Sequence, residues 1–381
     1  IVLEQFNAYL QHKNRLTSHQ SGNKKYHSTE TLNILTTDTI LEAMDSKKLT
    51  ALILLDLSKA FDSVDHSKLL SKLTKVGASQ ATVKWFESYL SGRTQRVRIN
   101  ATLSDTLPIT FGVPQGAILS PLLFCIYLND LPLAAHTCSL ESYVDDSKLY
   151  LPFVLSDIDS AIGKLEQDLH NVASWCCANN LLINPDKTKF LLFGTRQLLS
   201  RLTLIPEVKF VGKSLKPTVC AKDLGVMLDS HLTYDNQISK IVPSCFSTLC
   251  QINRVKDSFD PNTLMLIISS LVFSKMIYCS TVWANTSARN INKLQSIQNF
   301  ACKIVTNTKK FDHVTPLLHK LNWLPVKQLL TLRDSIMMYK CINNLAPTYL
   351  TNKFFKRSDI HDRHTRKRDS LQIPRYKTAT G

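Results

Sequence analysis

Three carboxylates are the residues best placed to do chemistry. Asp145 and Asp146 are adjacent in "LESYVDDSKLY", between two runs that read as strands, and Asp56 closes the apolar run "LTALILLDLS". An isolated Asp-Asp pair between strands is most often a turn, because Asp tolerates unusual dihedrals and hydrogen-bonds its own backbone. Asp56 poses a harder problem, since a lone carboxylate at the end of a buried strand is costly to desolvate. No Lys or Arg precedes it in that strand, and Lys59 lies in the turn beyond. If the hairpin pairs beside the strand in one sheet, all three carboxylates converge at one edge. Such a group suits hard divalent cations, and Mg²⁺ typically takes one or two carboxylates plus substrate phosphates. Two ions bridging an attacking hydroxyl and a leaving group are the two-metal arrangement of phosphoryl-group transfer. "GVPQG" at 112–116 adds a rigid turn whose backbone can approach a ligand closely, and a Gln able to hydrogen-bond sugar or phosphate.

The elements that must position these groups follow from periodicity. Residues 28–48 read as an amphipathic helix after a Ser28/Thr29 cap, with Leu32, Leu35, Thr39, Ile40 and Ala43 on one face. "LTALILLDLS" is apolar without alternation, so it reads as a central strand covered on both sides. Two helical patterns follow, closed by Gly77 and Gly92. "TQRVRINATLSDTLPITFGVPQG" alternates like a strand pair, and "AILSPLLFCIYLNDLPLAA" reads as a buried helix. After the DD hairpin, residues 157–180 form a long amphipathic helix with Ile158, Ile162, Leu165, Leu169 and Val172 inward. Short strands and turns then lead to about residue 235, beyond which the pattern is helical to about 350, with Pro243 expected to kink a helix. The tail from 351 is polar, basic and expected to be loosely ordered when free. The resulting class is α+β, with an appended helical region.

Charge is unevenly placed in this chain of 381 residues and net charge +16. Residues 51–160 carry nine Lys/Arg against eleven Asp/Glu, whereas 161–350 carry twenty-two against eleven and 351–381 nine against three. An acidic segment in a basic chain fits carboxylates holding a metal while the rest faces phosphate backbone. Ten cysteines show no C-x-x-C pair or zinc-ligand spacing and read as buried thiols in a reducing compartment. "TLMLIISSLVFSKMIYC" from Thr263 is broken by Lys275 and reads as a buried helix rather than a membrane span. With no initiator Met and a start in mid-pattern, the chain reads as a fragment.

Four ordered segments carry a resemblance: "LLDLSKAFDSVDHSKLL", "GVPQGAILSPLLFCIYLNDLP", "YVDD" and "LLINPDKTKFLLFG". They resemble successive polymerase motifs of reverse transcriptases, in particular those of non-LTR retrotransposons of the jockey-like, LINE-type kind. "QSGNKKYHSTET" resembles the finger motif before the palm, "VCAKDLGVMLDSHLTY" the primer-grip region, and "LNWLPVKQLLTLRDSIMMYKCINNLAPTYL" the helical region after the polymerase. The resemblance implies a right-hand fold (fingers, palm, thumb) with an antiparallel palm sheet and a C-terminal helical region. Fingers, palm and primer grip would occupy 1–240, a helical thumb 241–350 and a basic tail 351–381.

By the same resemblance the chain is an RNA-directed DNA polymerase, transferring dNTPs onto a primer 3′-hydroxyl. Asp56, Asp145 and Asp146 would hold two Mg²⁺ ions, or Mn²⁺ in their place, and the Leu57 carbonyl would complete the nucleotide-side metal. Phe61 would select deoxynucleotides by clashing with a ribose 2′-hydroxyl; without the neighbouring motifs it reads as a core Phe. Pro114, Gln115 and Gly116 would line the nucleotide pocket, and Tyr143 would sit near the primer end. Lys187 would protonate the pyrophosphate leaving group; read alone it is a solvated loop lysine. Implied partners are an RNA template, a DNA primer and dNTPs, without a membrane, in an intracellular ribonucleoprotein of nucleus and cytoplasm.

Two positions depart from the family pattern. Gly22-Asn23-Lys24 stands where Gly-Phe-Arg is usual, and Ala117 where Ser is usual. The resemblance also implies truncation at both ends, with fingers residues and an endonuclease upstream of Ile1. Two rival readings are a truncated or domesticated copy that binds RNA without polymerising, and another palm nucleotidyltransferase such as an RNA-dependent RNA polymerase. Phe61 weighs against the second.

Overall fold

The computed structural model describes residues 1–360 and 368–373. Residues 361–367 and 374–381 of the expected basic tail lie outside the described residues. The chain forms two compact units, each drawing on separated stretches: Ile1–His27, Lys48–Leu192 and Gln197–Thr218 in the first, and Ser28–Lys47, Phe193–Arg196 and the chain from Val219 in the second.

The first unit is built on a four-stranded sheet of β1 (Leu49–Leu55), β2 (Ser139–Tyr143), β3 (Asp146–Phe153) and β4 (Lys189–Phe193), in the order β4-β1-β3-β2. β1 and β2 both pair antiparallel with β3. β1 is interior to the sheet and buried on both faces, as its unbroken apolar run requires. Leu49, Ala51, Ile53 and Leu55 point into one core with Phe86, Leu123 and Leu165. The helix Ser120–Tyr127 is buried all round from Leu122 to Tyr127, as expected. Lys72 ties the helix His66–Lys75 to it, donating to Tyr127 O and Asp130 Oδ1, both at 2.6 Å. Gly77 and Gly92 follow their helices with φ of +89° and +66°, the left-handed cap that glycine adopts without a Cβ penalty.

In the helix Ile158–Ala178 the buried face is Ala161, Leu165, Leu169, Val172 and Cys176, with Ile158 and Ile162 at its margin. Asp168 is buried on this same face and accepts four hydrogen bonds, from His136 N, Thr137 N, Thr137 Oγ1 and Cys138 N. The helix therefore fixes the segment that leads directly into β2. The expected strand pair at 94–108 is a hairpin of two-residue ladders, and all four of its strands are exposed.

The second unit contains the helices Thr29–Asp45, Asp235–Val255, Ala288–Thr306 and Val326–Ile342, with a hairpin of Cys220–Asp223 and Val226–Asp229. Ser28 caps the first helix through a reciprocal capping box with Thr31. Its buried face differs from the expected stripe: Asn33, Thr36 and Thr37 are buried with Leu32, Ile40 and Ala43, while Leu35 and Thr39 are half-buried. The Thr36 and Thr37 hydroxyls donate to Leu32 O and Asn33 O, so their burial leaves no donor unpaired.

The Asp235–Val255 helix has Pro243 in its interior. One further expectation is corrected. The apolar run from Thr263 is not a helix buried all round: it passes from α-helix (Pro261–Ile268) through a π-helical turn (Ser269–Phe273), with Leu264, Ile268, Val272 and Met276 inward. Leu266 and Leu271 are exposed, and scattered surface leucines are normal. Among the described residues no helix is long and apolar enough to cross a membrane.

Candidate active site

Pairing register brings the carboxylates together. Leu55 stands opposite Ser147 in the β1–β3 ladder, so the next residue along β1's direction, Asp56, reaches the level of Asp146. Tyr143 pairs with Asp146, which makes Val144-Asp145 the two-residue turn of the β2–β3 hairpin. Strand order and register thus put Asp56 level with Asp146, and Asp145 in the adjoining turn.

Asp56 is the most constrained of the three. Its Oδ2 is buried and has no hydrogen-bond partner. The Lys187 ammonium lies 3.5 Å from that atom as an ion pair, with the lysine 67% exposed. The loop carrying Lys187 is pinned to Asp56 by backbone: Asn184 N donates to Asp56 O at 2.8 Å, and Leu57 pairs with Ile183. Asn184 O then closes the loop by accepting from Thr188 N and Thr188 Oγ1. An antiparallel ladder alternates hydrogen-bonded and non-hydrogen-bonded pairs. The Asp56–Asn184 bond therefore leaves Leu57 in a non-hydrogen-bonded pair, its carbonyl turned away from the Leu182–Ile183 strand.

The Asp56 Oδ2 accepts no hydrogen bond, faces an exposed ammonium at 3.5 Å, and belongs to a side chain 37% exposed at the level of a second carboxylate, a setting that fits a divalent cation. Among the described residues no three His, Cys, Asp or Glu side chains are gathered closely enough to hold a metal by themselves. A Mg²⁺-type ion does not need three, because substrate phosphates complete its shell.

Phe61 and the "GVPQG" turn form a second assembly, joined to the first through the short chain from Leu57. Val113 N donates to Phe61 O at 2.9 Å, and Gly112 N to Val64 O at 2.7 Å. His66 Nε2 meets Gly112 O at 2.7 Å. Gln115 Nε2 donates to Asp62 Oδ1 at 2.8 Å, and Ser120 Oγ donates to Pro114 O at 2.5 Å. Phe61 is half-buried and stacks on Phe124, with centroids 4.5 Å apart. It is thus packed on one side rather than enclosed in the core. Gly116 has φ +78° with nothing near its missing Cβ.

Gly112 shows how tightly the assembly is built. Its φ is +85°, and a Cβ would meet Asp62 Cα and Asp62 O at 3.0 Å. Gly112→Ala should lower stability by about 2 kcal/mol or more, from left-handed strain plus the clash. Urea unfolding measures this; a change below about 0.5 kcal/mol would show that the turn adapts freely.

Sequence reasoning missed three positioning contacts. Lys187 was not recognised as the partner of Asp56, nor Asp62 as the holder of Gln115. Nor does the sequence mark Gln20 as the partner of Val144. Each contact spans a long stretch of chain, and no local pattern marks it.

These features define a carboxylate site at the end of an antiparallel sheet, and the family is established by sequence. Residues 2–228 match the family described as reverse transcriptase (RNA-dependent DNA polymerase), and the chain belongs to it. Within it the chain is of the jockey-like, non-LTR kind. It is 28% identical over 345 residues to a probable RNA-directed DNA polymerase from transposon BS of Drosophila melanogaster, covering 88% of this chain and 37% of that protein. It is 25% identical over 268 residues to the RNA-directed DNA polymerase from mobile element jockey of the same species, covering 68% of this chain and 28% of that protein. The chain thus spans about a third of the length of these relatives.

Among solved structures, apo telomerase from Candida tropicalis aligns with TM-score 0.40 and 11% identity, over 92% of this chain and 60% of that one. The first unit is α+β with an antiparallel sheet, as expected, and members of the family generally use divalent metal ions.

Proposed function

We propose that this chain is the RNA-directed DNA polymerase segment of a non-LTR retrotransposon, adding dNTPs to the 3′-hydroxyl of a DNA primer on an RNA template. The observation that carries the reading is Asp56 at the level of Asp146, its Oδ2 accepting no hydrogen bond and ion-paired with Lys187 at 3.5 Å. Asp56, Asp145 and Asp146 would hold two Mg²⁺ ions, or Mn²⁺ in their place, assisted by the Leu57 carbonyl. When bound, such ions neutralise charge on the transferring phosphoryl group and lower the pKa of the attacking hydroxyl.

The chain's own residues do the rest. Phe61, stacked on Phe124, would border the sugar. Pro114, Gln115 and Gly116 shape the nucleotide pocket, with Gln115 oriented by Asp62. Tyr143, paired with Asp146, borders the primer end. Lys187 is a cation held within ion-pair distance of the reacting centre and donates a proton to the departing pyrophosphate. The basic 161–350 half contacts duplex phosphates, which makes binding strongly salt-dependent.

The test offers the purified chain a DNA primer on an RNA template, with deoxy- or ribonucleotides. Extension by dNTPs supports the reading. Preference for ribonucleotides would transfer the chain to RNA-dependent RNA synthesis. Phe61→Val should reduce dNTP/rNTP selectivity by about 10- to 100-fold, the scale of one steric contact with a substrate. Unchanged selectivity would remove Phe61 from its role.

A further inference from the structure

The turn that carries Asp145 is strained, and a residue far away in sequence holds it. Val144 has φ +59°, a left-handed backbone conformation that is an outlier for a β-branched side chain. Strain of this kind costs about 1–3 kcal/mol and persists only where the surroundings over-determine it. Gln20 supplies that constraint. Its side chain is buried, at 3% exposure. Its Oε1 accepts from Val144 N at 2.9 Å and its Nε2 donates to Val144 O at 3.1 Å. One planar amide therefore closes both polar groups of the strained residue.

The rest of the segment enforces the approach. Gly22 N donates to the same Gln20 Oε1 at 2.8 Å. A Cβ on Gly22 would stand 2.5 Å from Val144 Cγ2 and 2.8 Å from Val144 N, so only glycine allows this contact. Backbone bonds fix the register: Ser142 N donates to His19 O and Ser21 N to Ser142 O, both at 2.8 Å. The segment thus runs parallel along β2, bridging Gln20 to Ser142.

We propose that Gln20 is a positioning residue for the metal-binding carboxylates: it holds Val144 in its left-handed conformation, and this sets the direction of Asp145 and Asp146. The kinetic consequence rests on the polymerase reading; the clamp itself does not. Because Asp145 and Asp146 follow Val144 directly, rotation of the Val144 peptide units would redirect both carboxylates relative to Asp56. A residue that merely stabilised the sheet edge would leave metal dependence unchanged.

The experiment compares the wild-type chain, Gln20→Ala, Gln20→Glu and the double variant Gln20→Ala/Val144→Gly, with circular dichroism confirming the fold. Three quantities are read: hydrogen exchange in the 140–150 peptide, Mn²⁺ binding followed by electron paramagnetic resonance, and primer extension against metal concentration. Gln20→Ala should speed exchange at the Val144 amide and raise the Mn²⁺ concentration for half-saturation about tenfold, the scale of one net hydrogen bond. Gln20→Glu keeps acceptance from the two N–H groups and loses donation to Val144 O, so it should shift the same way by less, even if the alanine variant folds poorly. Glycine adopts positive φ without strain, so Val144→Gly should restore most of the metal affinity.

Unchanged exchange in Gln20→Ala would overturn the proposal. So would faster exchange with unchanged Mn²⁺ binding, or failure of Val144→Gly to rescue. If the wild-type chain extends no primer, the polymerase reading fails, while exchange and Mn²⁺ binding still decide on the clamp.

Discussion

Asp145→Asn is expected to lower primer extension by about 10³-fold or more while leaving the unfolding transition in place. The substitution keeps the shape of the side chain and removes only its ionised oxygen. Asn is as well suited as Asp to a hairpin turn, so the β2–β3 connection should survive. The lost charge is the one that would neutralise a divalent ion at the developing phosphoryl transition state, where a single misplaced electrostatic contact costs several kcal/mol. Asp56→Asn should behave alike, since its ion pair with the exposed Lys187 adds little to folding. Rapid-quench extension combined with thermal unfolding separates the two effects. Activity within about tenfold of wild type in both variants would remove the carboxylates from the chemistry.

The second large effect concerns stability. Asp168→Ala should cost about 3–4 kcal/mol, because the backbone N–H groups of His136, Thr137 and Cys138 lose their acceptor. The same side chain makes stability depend on pH. Burial of the Asp168 carboxyl pushes its pKa up, but hydrogen bonds from His136, Cys138 and Thr137 outweigh this and bring it down to about 2 from an ordinary 3.8. A depressed folded-state pKa stabilises fully above the unfolded value. Its contribution, about 2 kcal/mol, is therefore lost as pH falls from about 4 through about 2. Urea midpoints across that window should fall more steeply for wild type than for Asp168→Asn. Parallel profiles would contradict the assignment. Since Asp168 braces the segment entering β2, its loss should also reduce activity indirectly.

The parts of the fold carried by local pattern were legible in the sequence. β1 reads as a central strand because it lacks alternation, and "YVDD" as a hairpin because two strand-like runs flank it. Asp56 signalled a site through its cost, a carboxylate at a buried strand end with no nearby cation. What could not be read was what completes each feature from a distance. Lys187 pairs with Asp56 only because Leu182–Ile183 docks on Leu57–Ser58. Gln20 meets Val144 across 124 residues.

Burial patterns failed for a related reason. In the helix Thr29–Asp45 the buried positions include threonines whose hydroxyls bond back to the helix. Hydrophobic periodicity assigns such residues to solvent. The 94–108 hairpin alternates as a strand pair should, yet both of its faces are exposed, because alternation records pleat and not burial.

Single-nucleotide addition tests the central claim most directly. The purified wild-type chain is incubated with an RNA template, an annealed DNA primer, the next complementary dNTP and Mg²⁺, with template binding measured on the same sample. The expected result is a primer longer by one nucleotide, abolished by chelation of the metal and by omission of the RNA template. Binding of the primed template without any extension, in Mg²⁺ and in Mn²⁺, would contradict it and leave a chain that holds RNA but does not polymerise.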